Sequence, residues 1–266
     1  SVTSIYGATL RLPKTLCISV SQSGKSPDIV DLAGAARAGG AMTLAMTNDA
    51  ASPLARAAGR VIDIQAGAER SVAATKTFVT SAVAGLALLA EWREDAALQA
   101  AIATLPEKLA EACEADWRAL AAVMTAENSL FTIARGPSIA MSGEAALKFK
   151  ETCQIHAENY SSAEVMHGPV SIVGQGFPVL AFIAADAAEA TVSEAADAMA
   201  DKGARVFATS DQVRKAEVLP VVRTDHWLTD PLALIVSFYA MVERVAVARG
   251  IDPDTPRHLR KVTETV

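Results

Sequence analysis

The chain has 266 residues, 51% of them apolar, and carries 30 acidic against 24 basic side chains for a net charge of −6. That balance, without an arginine- or lysine-rich run interleaved with aromatics, excludes a nucleic-acid groove. The longest apolar run, Ser81 to Ala90, falls short of the roughly 18 residues that span a bilayer.

No n-region or cleavage signal opens the sequence. Cys17, Cys113 and Cys153 are odd in number and far apart, so reduced thiols in a cytoplasmic protein are expected rather than a disulfide framework. In chain order, the β-branched run Leu16 to Val20 predicts a strand, and Ser21-Gln22-Ser23-Gly24-Lys25-Ser26-Pro27-Asp28 closes it and opens a helix. Ser26 suits the N-cap, Pro27 the first helical position and Asp28 the first turn. Free backbone N–H groups beside Ser21, Gln22, Ser23 and Ser26 would make an anion cradle suited to a phosphate ester; an ordinary capped turn fits the same residues.

The helix ends at Gly39-Gly40, Ala41 to Met46 predicts a second strand, Ser52-Pro53 a short helix and Val61 to Ile64 a third strand. The segment Gly67 to Thr77, with Glu69, Val72 and Thr75, leaves that strand's carboxyl end; it fits either a site loop or a plain connection with a capping residue. Thr75 to Trp92 and Asp95 to Ala126 read as long helices, with a break expected at Pro106.

The pattern then repeats, with strand Leu130 to Ala134 and helix Ser138 to Cys153. The polar stretch Gln154 to Pro169 reads as a functional loop, although His167 also suits a turn before Gly168-Pro169. Pro178 to Ile183, Ala204 to Ala208 and Val218 to Val222 read as strands, and Ala187 to Asp201 and Pro231 to Arg249 as helices. Alternating strands and helices predict an α/β fold of two doubly wound parallel domains, flavodoxin-like and three-layered. The expected division is 1–94, a helical connector 95–126, a second domain 127–250 and a tail 251–266. The unit Leu130 to Cys153 has no counterpart before Thr15, so the first domain is expected to lack its first strand-helix unit, as if truncated.

Glu144, Lys148 and Glu151 fall at i, i+4 and i+7, which places acid, base and acid on one helix face. Such a stripe equally suits a solvated salt-bridge surface. The four histidines lack metal-ligand spacing and no CxxC pair occurs, so no metal is expected. Without a Gly-x-Gly-x-x-Gly or Walker loop, no nucleotide cofactor is expected either. The tail Asp252 to Thr263 reads by itself as a frayed basic end.

Four segments in order carry a resemblance: Ser21-Gln22-Ser23-Gly24-x-Ser26; Glu69-x-x-Val72-Ala73-x-Thr75-Lys76; Glu144-x-x-x-Lys148-x-x-Glu151 through His167-Gly168-Pro169; and Pro256-Arg257-x-Leu259-x-Lys261-Val262-Thr263. Together they resemble the sugar isomerase (SIS) domain family. The likeness is to its double-SIS group, which includes the isomerase part of glucosamine-6-phosphate synthase and free-standing relatives that deaminate or isomerise amino-sugar phosphates. The resemblance implies that Ser21, Gln22, Ser23 and Ser26 hold the sugar phosphate, with Glu69, Val72, Thr75 and Glu144 in the substrate pocket. It implies Glu151 as the base moving a proton between C1 and C2, and Lys148 beside the sugar hydroxyls. His167 would open the pyranose ring from the neighbouring subunit of a homodimer, and Lys261 would close over the site and form a Schiff base.

Lys25 and Ala74 depart from the synthase pattern, and Ser-Gly-Lys-Ser-Pro-Asp is closer to the free-standing relatives. With no glutaminase segment in the sequence, conversion of glucosamine 6-phosphate to fructose 6-phosphate and ammonia is the expected reaction. Amino transfer to fructose 6-phosphate and deglycation of a phosphosugar conjugate are the alternatives within enzymes. A non-catalytic sugar-phosphate sensor is the alternative outside them; it would need the cradle but not Glu151, His167 and Lys261.

Overall fold

Two parallel sheets organise the chain in this computed structural model, which describes residues 2–259 and 261. The chain forms two units, one made of residues up to Leu89 with His258, Leu259 and Lys261, the other of Ala90–Arg257.

The first unit runs β1 (Leu16–Ser21), α1 (Pro27–Ala38), β2 (Met42–Thr47), α2 (Pro53–Ala57), β3 (Arg60–Asp63) and α3 (Lys76–Arg93), whose last turn belongs to the second unit. Its sheet has the order β1-β2-β3, with Ile18 opposite Leu44 and Leu44 opposite Arg60. Parallel strands need cover on both faces. On one face Ala33, Ala45, Leu54 and Ala58 pack with Ile29 and Val30 of α1; on the other Leu44, Met46 and Ile64 meet Ala84 and Leu88 of α3.

The second unit begins with α4 (Ala96–Cys113) and α5 (Arg118–Ala126). It continues through β4 (Ser129–Ala134), α6 (Ser138–Cys153), β5 (His156–Ser161), β6 (Pro178–Ala181), α7 (Glu189–Ala200), β7 (Arg205–Ala208), β8 (Glu217–Val218) and α8 (Asp230–Ala248). The strand order β5-β4-β6-β7-β8 is the flavodoxin-like doubly wound order, whose switch point lies between β4 and β6. α8 is long and apolar enough to cross a membrane by length and composition, yet most of it is buried inside this unit, as a core helix is. α4, α5 and α6 pack on it, and Phe149 and Phe182 meet Phe238 edge-on at 5.2 and 6.0 Å. The helices expected as a connector therefore lie within the second unit.

The first sheet has three strands and the second five among the described residues. β6 pairs on its outer side with β4, Phe131 opposite Val179, whereas β1, its counterpart, has no strand on that side among the described residues. Leu16, Ile18 and Val20, on the same sheet face as Leu44 and Met46, stand exposed.

Three expectations need correction. Pro106 does not break the helix: it sits inside α4, and the chain turns at Glu114–Trp117 instead. An interior proline costs about 3 kcal/mol, whereas each fully buried leucine contributes about 1.5–3 kcal/mol. Leu98 and Leu105 are both buried, so the helix continues. Trp117 fixes the real turn, being buried with its indole N–H donating to the Pro220 carbonyl at 2.9 Å.

The polar stretch after Gln154 is not all loop, because His156–Ser161 forms β5, parallel to β4 with Phe131 opposite Glu158. As an edge strand it needs little apolar surface, and only Ala157 of the six is buried. The strand expected at Val218 to Val222 shrinks to Glu217–Val218, since Pro220 has no N–H to give a ladder.

Candidate active site

The hydroxyl-rich turn lies at the carboxyl end of β1, as the sequence predicts. Ser26 is the N-cap of α1 with extended φ and ψ, Pro27 takes the first helical position and Asp28 the first turn. The Ser26 hydroxyl makes no cap hydrogen bond, so it does not satisfy the helix-start amides. Ser21 Oγ accepts from Gly24 N at 3.1 Å and Ser23 Oγ from Lys25 N at 3.3 Å, which curls the turn around its own backbone. Gln22 is anchored by its carbonyl, which accepts from Asn48 N at 3.2 Å. The turn thus gathers hydroxyls at a helix start, the kind of place where oxyanions bind.

Gly24 makes that curl possible. Its φ is +61°, and a Cβ there would lie 2.2 Å from Ser52 Oγ and 3.0 Å from Thr47 Oγ1. Thr47 and Ser52 are buried beneath the turn, and the sequence reading missed both as its floor. Ser52 announced only the start of α2, where its hydroxyl does accept from Ala55 N. Gly24→Ala is expected to destabilise the protein by at least about 1–2 kcal/mol, the cost of a left-handed backbone at a residue with Cβ. A lowered unfolding midpoint in urea would register it; an unchanged midpoint would mean that the turn relaxes freely.

The segment after β3 returns to the same end of the sheet. Asn48 holds it, its side chain donating to the Gly67 carbonyl at 2.6 Å and accepting from Ala66 N at 2.8 Å. Glu69 serves as the cap of α3: one carboxylate oxygen accepts from Thr75 N at 3.3 Å, Thr77 N at 2.8 Å and Thr77 Oγ1 at 2.8 Å. Val72 and Thr75 are half-buried beside it. Lys261 reaches the same segment and donates to the Ser71 carbonyl. The tail lysine and the Glu69 motif, 190 positions apart, are thus brought together. Val262 and Thr263 of the tail motif lie outside the described residues.

In the second unit, Glu144, Lys148 and Glu151 form one cluster on α6. Lys148 Nζ lies 3.3 Å from Glu144 Oε1 and 2.5 Å from Glu151 Oε2. The solvated-stripe reading fails, because the Lys148 side chain is 4% exposed, Glu144 7% and Glu151 21%. Burial pushes the Glu144 carboxyl up from the ordinary range, opposed by the Lys148 charge and by a hydrogen bond from Tyr239. Tyr239, on α8, donates to Glu144 Oε1 at 2.7 Å, a partner that no motif in the sequence announced. Its only signal was a polar group on a largely apolar core helix. His167 stands apart, exposed at the end of a short 3-10 turn after β5. Among the described residues no group of three or more His, Cys, Asp or Glu is placed to hold a metal.

Two SIS domain matches, at residues 8–91 and 124–215, take in β1 to β3 and β4 to β7. The chain belongs to the SIS domain family. It is 35% identical over 260 residues to the glutamine–fructose-6-phosphate aminotransferase [isomerizing] of Pyrobaculum aerophilum, covering 92% of this chain and 43% of that protein. The chain thus spans less than half the length of that relative. A crystal structure described as a candidate phosphosugar isomerase from Silicibacter pomeroyi matches with 63% identity and a TM-score of 0.92, over 96% of this chain and 78% of that one. The C-terminal domain of glucosamine-fructose-6-phosphate aminotransferase from Francisella tularensis shares the fold, with a TM-score of 0.78 at 23% identity over 93% of this chain and 75% of that one.

Proposed function

We propose that this chain is a phosphosugar isomerase that converts glucosamine 6-phosphate to fructose 6-phosphate and ammonia, in the cytoplasm and without a cofactor. The observation that carries the reading is the buried Glu144–Lys148–Glu151 cluster. A sensor that only binds a sugar phosphate has no use for a buried acid-base set, whereas an aldose-ketose shift needs a carboxylate to take a proton from one carbon and return it to the next. The 35% identical aminotransferase supports the same substrate class.

In this reading the phosphate sits on Ser21, Gln22, Ser23 and Ser26, and the helix start adds roughly 0.3–1 kcal/mol per charge. Val72 and Thr75 line the sugar, with Glu69 holding their segment in place. His167, contributed by the second subunit of a homodimer, moves the proton that opens the ring. Glu151 takes the C2 proton of the open aldehyde and delivers it to C1 while a proton of the amine passes to O1, leaving a hydroxyl on C1 and an imine at C2. Water adds to that carbon and ammonia departs, giving the ketose; Lys261 can take the carbon as its own imine before water does. Lys148 offsets charge on the sugar oxygens while the proton moves.

Incubating the purified protein with glucosamine 6-phosphate is expected to release ammonia and fructose 6-phosphate in equal amounts. Binding of the sugar phosphate with no product would sink the enzyme reading in favour of a sensor. Product formed only from fructose 6-phosphate and an amino donor would reverse the direction.

A further inference from the structure

Tyr239 lies on α8, far in sequence from every motif, and its hydroxyl reaches the same Glu144 oxygen that faces Lys148. Lys148 is therefore shared unequally between two carboxylates of its own helix, 2.5 Å from Glu151 and 3.3 Å from Glu144, and a phenol from a second helix fixes the more distant one. The ring itself is packed beside Phe238, with centroids 6.1 Å apart, so the hydroxyl is delivered by a held side chain. α6 and α8 also pack on each other through Phe149 and Phe238. Little freedom is left in the distance between the Tyr239 and Glu144 backbones.

We propose that Tyr239 is a positioning residue for the proton transfer: by fixing Glu144 as the second partner of Lys148, it limits how tightly Lys148 grips Glu151. The proposal rests on the reading of Glu151 as the base. An ammonium paired with one carboxylate alone holds it as a tight ion pair, and the oxygen so engaged is a poor proton acceptor. An ammonium divided between two carboxylates holds each less tightly. The Tyr239 hydroxyl supports the divided state because a donor to Glu144 favours its charged form. Remove the hydroxyl, and the buried Glu144 more readily takes a proton, leaving Lys148 to Glu151 alone.

The test is a double-mutant cycle with Tyr239→Phe and Glu144→Gln, read as kcat and KM for ammonia release from glucosamine 6-phosphate. Phenylalanine keeps the packed ring, and glutamine keeps an acceptor but has no charge to share. Tyr239→Phe is expected to lower kcat roughly tenfold with KM within about twofold, the size of a lost hydrogen bond to a charged group. In the Glu144→Gln background the same change is expected to alter kcat by less than about twofold, because its route is already cut. Equal losses in both backgrounds, or a raised KM at unchanged kcat, would overturn the proposal. Should Tyr239→Phe not fold, Glu144→Gln alone must lower kcat with KM held, and wild-type kcat in that variant would overturn it.

A readout without turnover separates this proposal from the function it rests on. If the native protein releases no ammonia, the deaminase reading fails by itself, and the Lys148 ammonium decides the rest. Its 15N signal in lysine-labelled protein, assigned by absence from Lys148→Met, is expected to shift in both Tyr239→Phe and Glu144→Gln. A signal unmoved by Tyr239→Phe would overturn the positioning role.

Discussion

Glu151→Gln is expected to lower turnover of glucosamine 6-phosphate by about 10²–10⁴-fold, the usual contribution of a positioned base, while its Kd stays within about threefold. Glutamine keeps the shape and an acceptor oxygen for Lys148, so the cluster stays assembled. What it loses is the ability to carry a proton from one carbon to the next. The phosphate contacts assigned to the turn after β1 are untouched by the change. Stopped-assay rates and calorimetric titration of the same preparation make the comparison. A Kd that weakens in step with the rate would make Glu151 a binding residue and return the cluster to a structural role.

The same variant examines the assignment of His167. In a closed dimer each shared site occurs twice, and a mixed dimer of Glu151→Gln and His167→Ala subunits would hold one site with both residues intact. Mixing the two inactive proteins is then expected to restore activity, up to about a quarter of the native rate per subunit if exchange is random. A mixture that stays inactive after demonstrated subunit exchange would remove His167 from the partner's site.

Much of this was legible in the sequence for definite reasons. The turn at Ser21–Ser26 could be read because its cap, proline and glycine each fix the backbone locally, and α6 could be placed at Ser138–Cys153 from its pattern alone. What escaped depends on distant parts of the chain. β5 is a polar strand that exists because β4 supplies its ladder, and Pro106, itself exposed, survives inside α4 because Leu98 and Leu105 bury another face of the same helix. Thr47 and Ser52 become the floor of the turn only when β2 and α2 come beneath Gly24. The burial of Lys148 and its link to Tyr239 depend on α8, whose sequence reads only as an apolar helix.

The turn after β6 occupies the place that the Ser21–Ser26 turn occupies after β1, and it draws its acceptors from farther along the chain. Its amides are already taken: Ile183 N donates to Thr209 Oγ1 at 2.7 Å, Ala185 N to Asp230 Oδ2 at 2.9 Å and Ala188 N to Asp186 Oδ1 at 2.7 Å. Asp230, at the start of α8 and buried, also accepts from Arg223 Nη1 at 2.6 Å and Thr224 N at 3.1 Å. In the first turn Gly24 N and Lys25 N bond to serines of the turn itself, whereas in the second the Asp230 carboxylate reaches in from α8.

Asp230→Ala is accordingly expected to destabilise the protein by about 3 kcal/mol, the lower end for breaking a buried pair, since the Arg223 side chain is 32% exposed and water can reach it. For a domain of this size that corresponds to a fall of roughly 6–12 °C in Tm. Arg223 also donates to the carbonyls of Ile183 and Thr209, so the variant would leave its guanidinium fixed beside an emptied position. Adding formate, which can re-enter that position, is expected to recover part of the loss in the variant and none in the native protein. A fall in Tm below about 2 °C, under 1 kcal/mol at this size, would show that the carboxylate is dispensable and that the second turn is closed by packing alone.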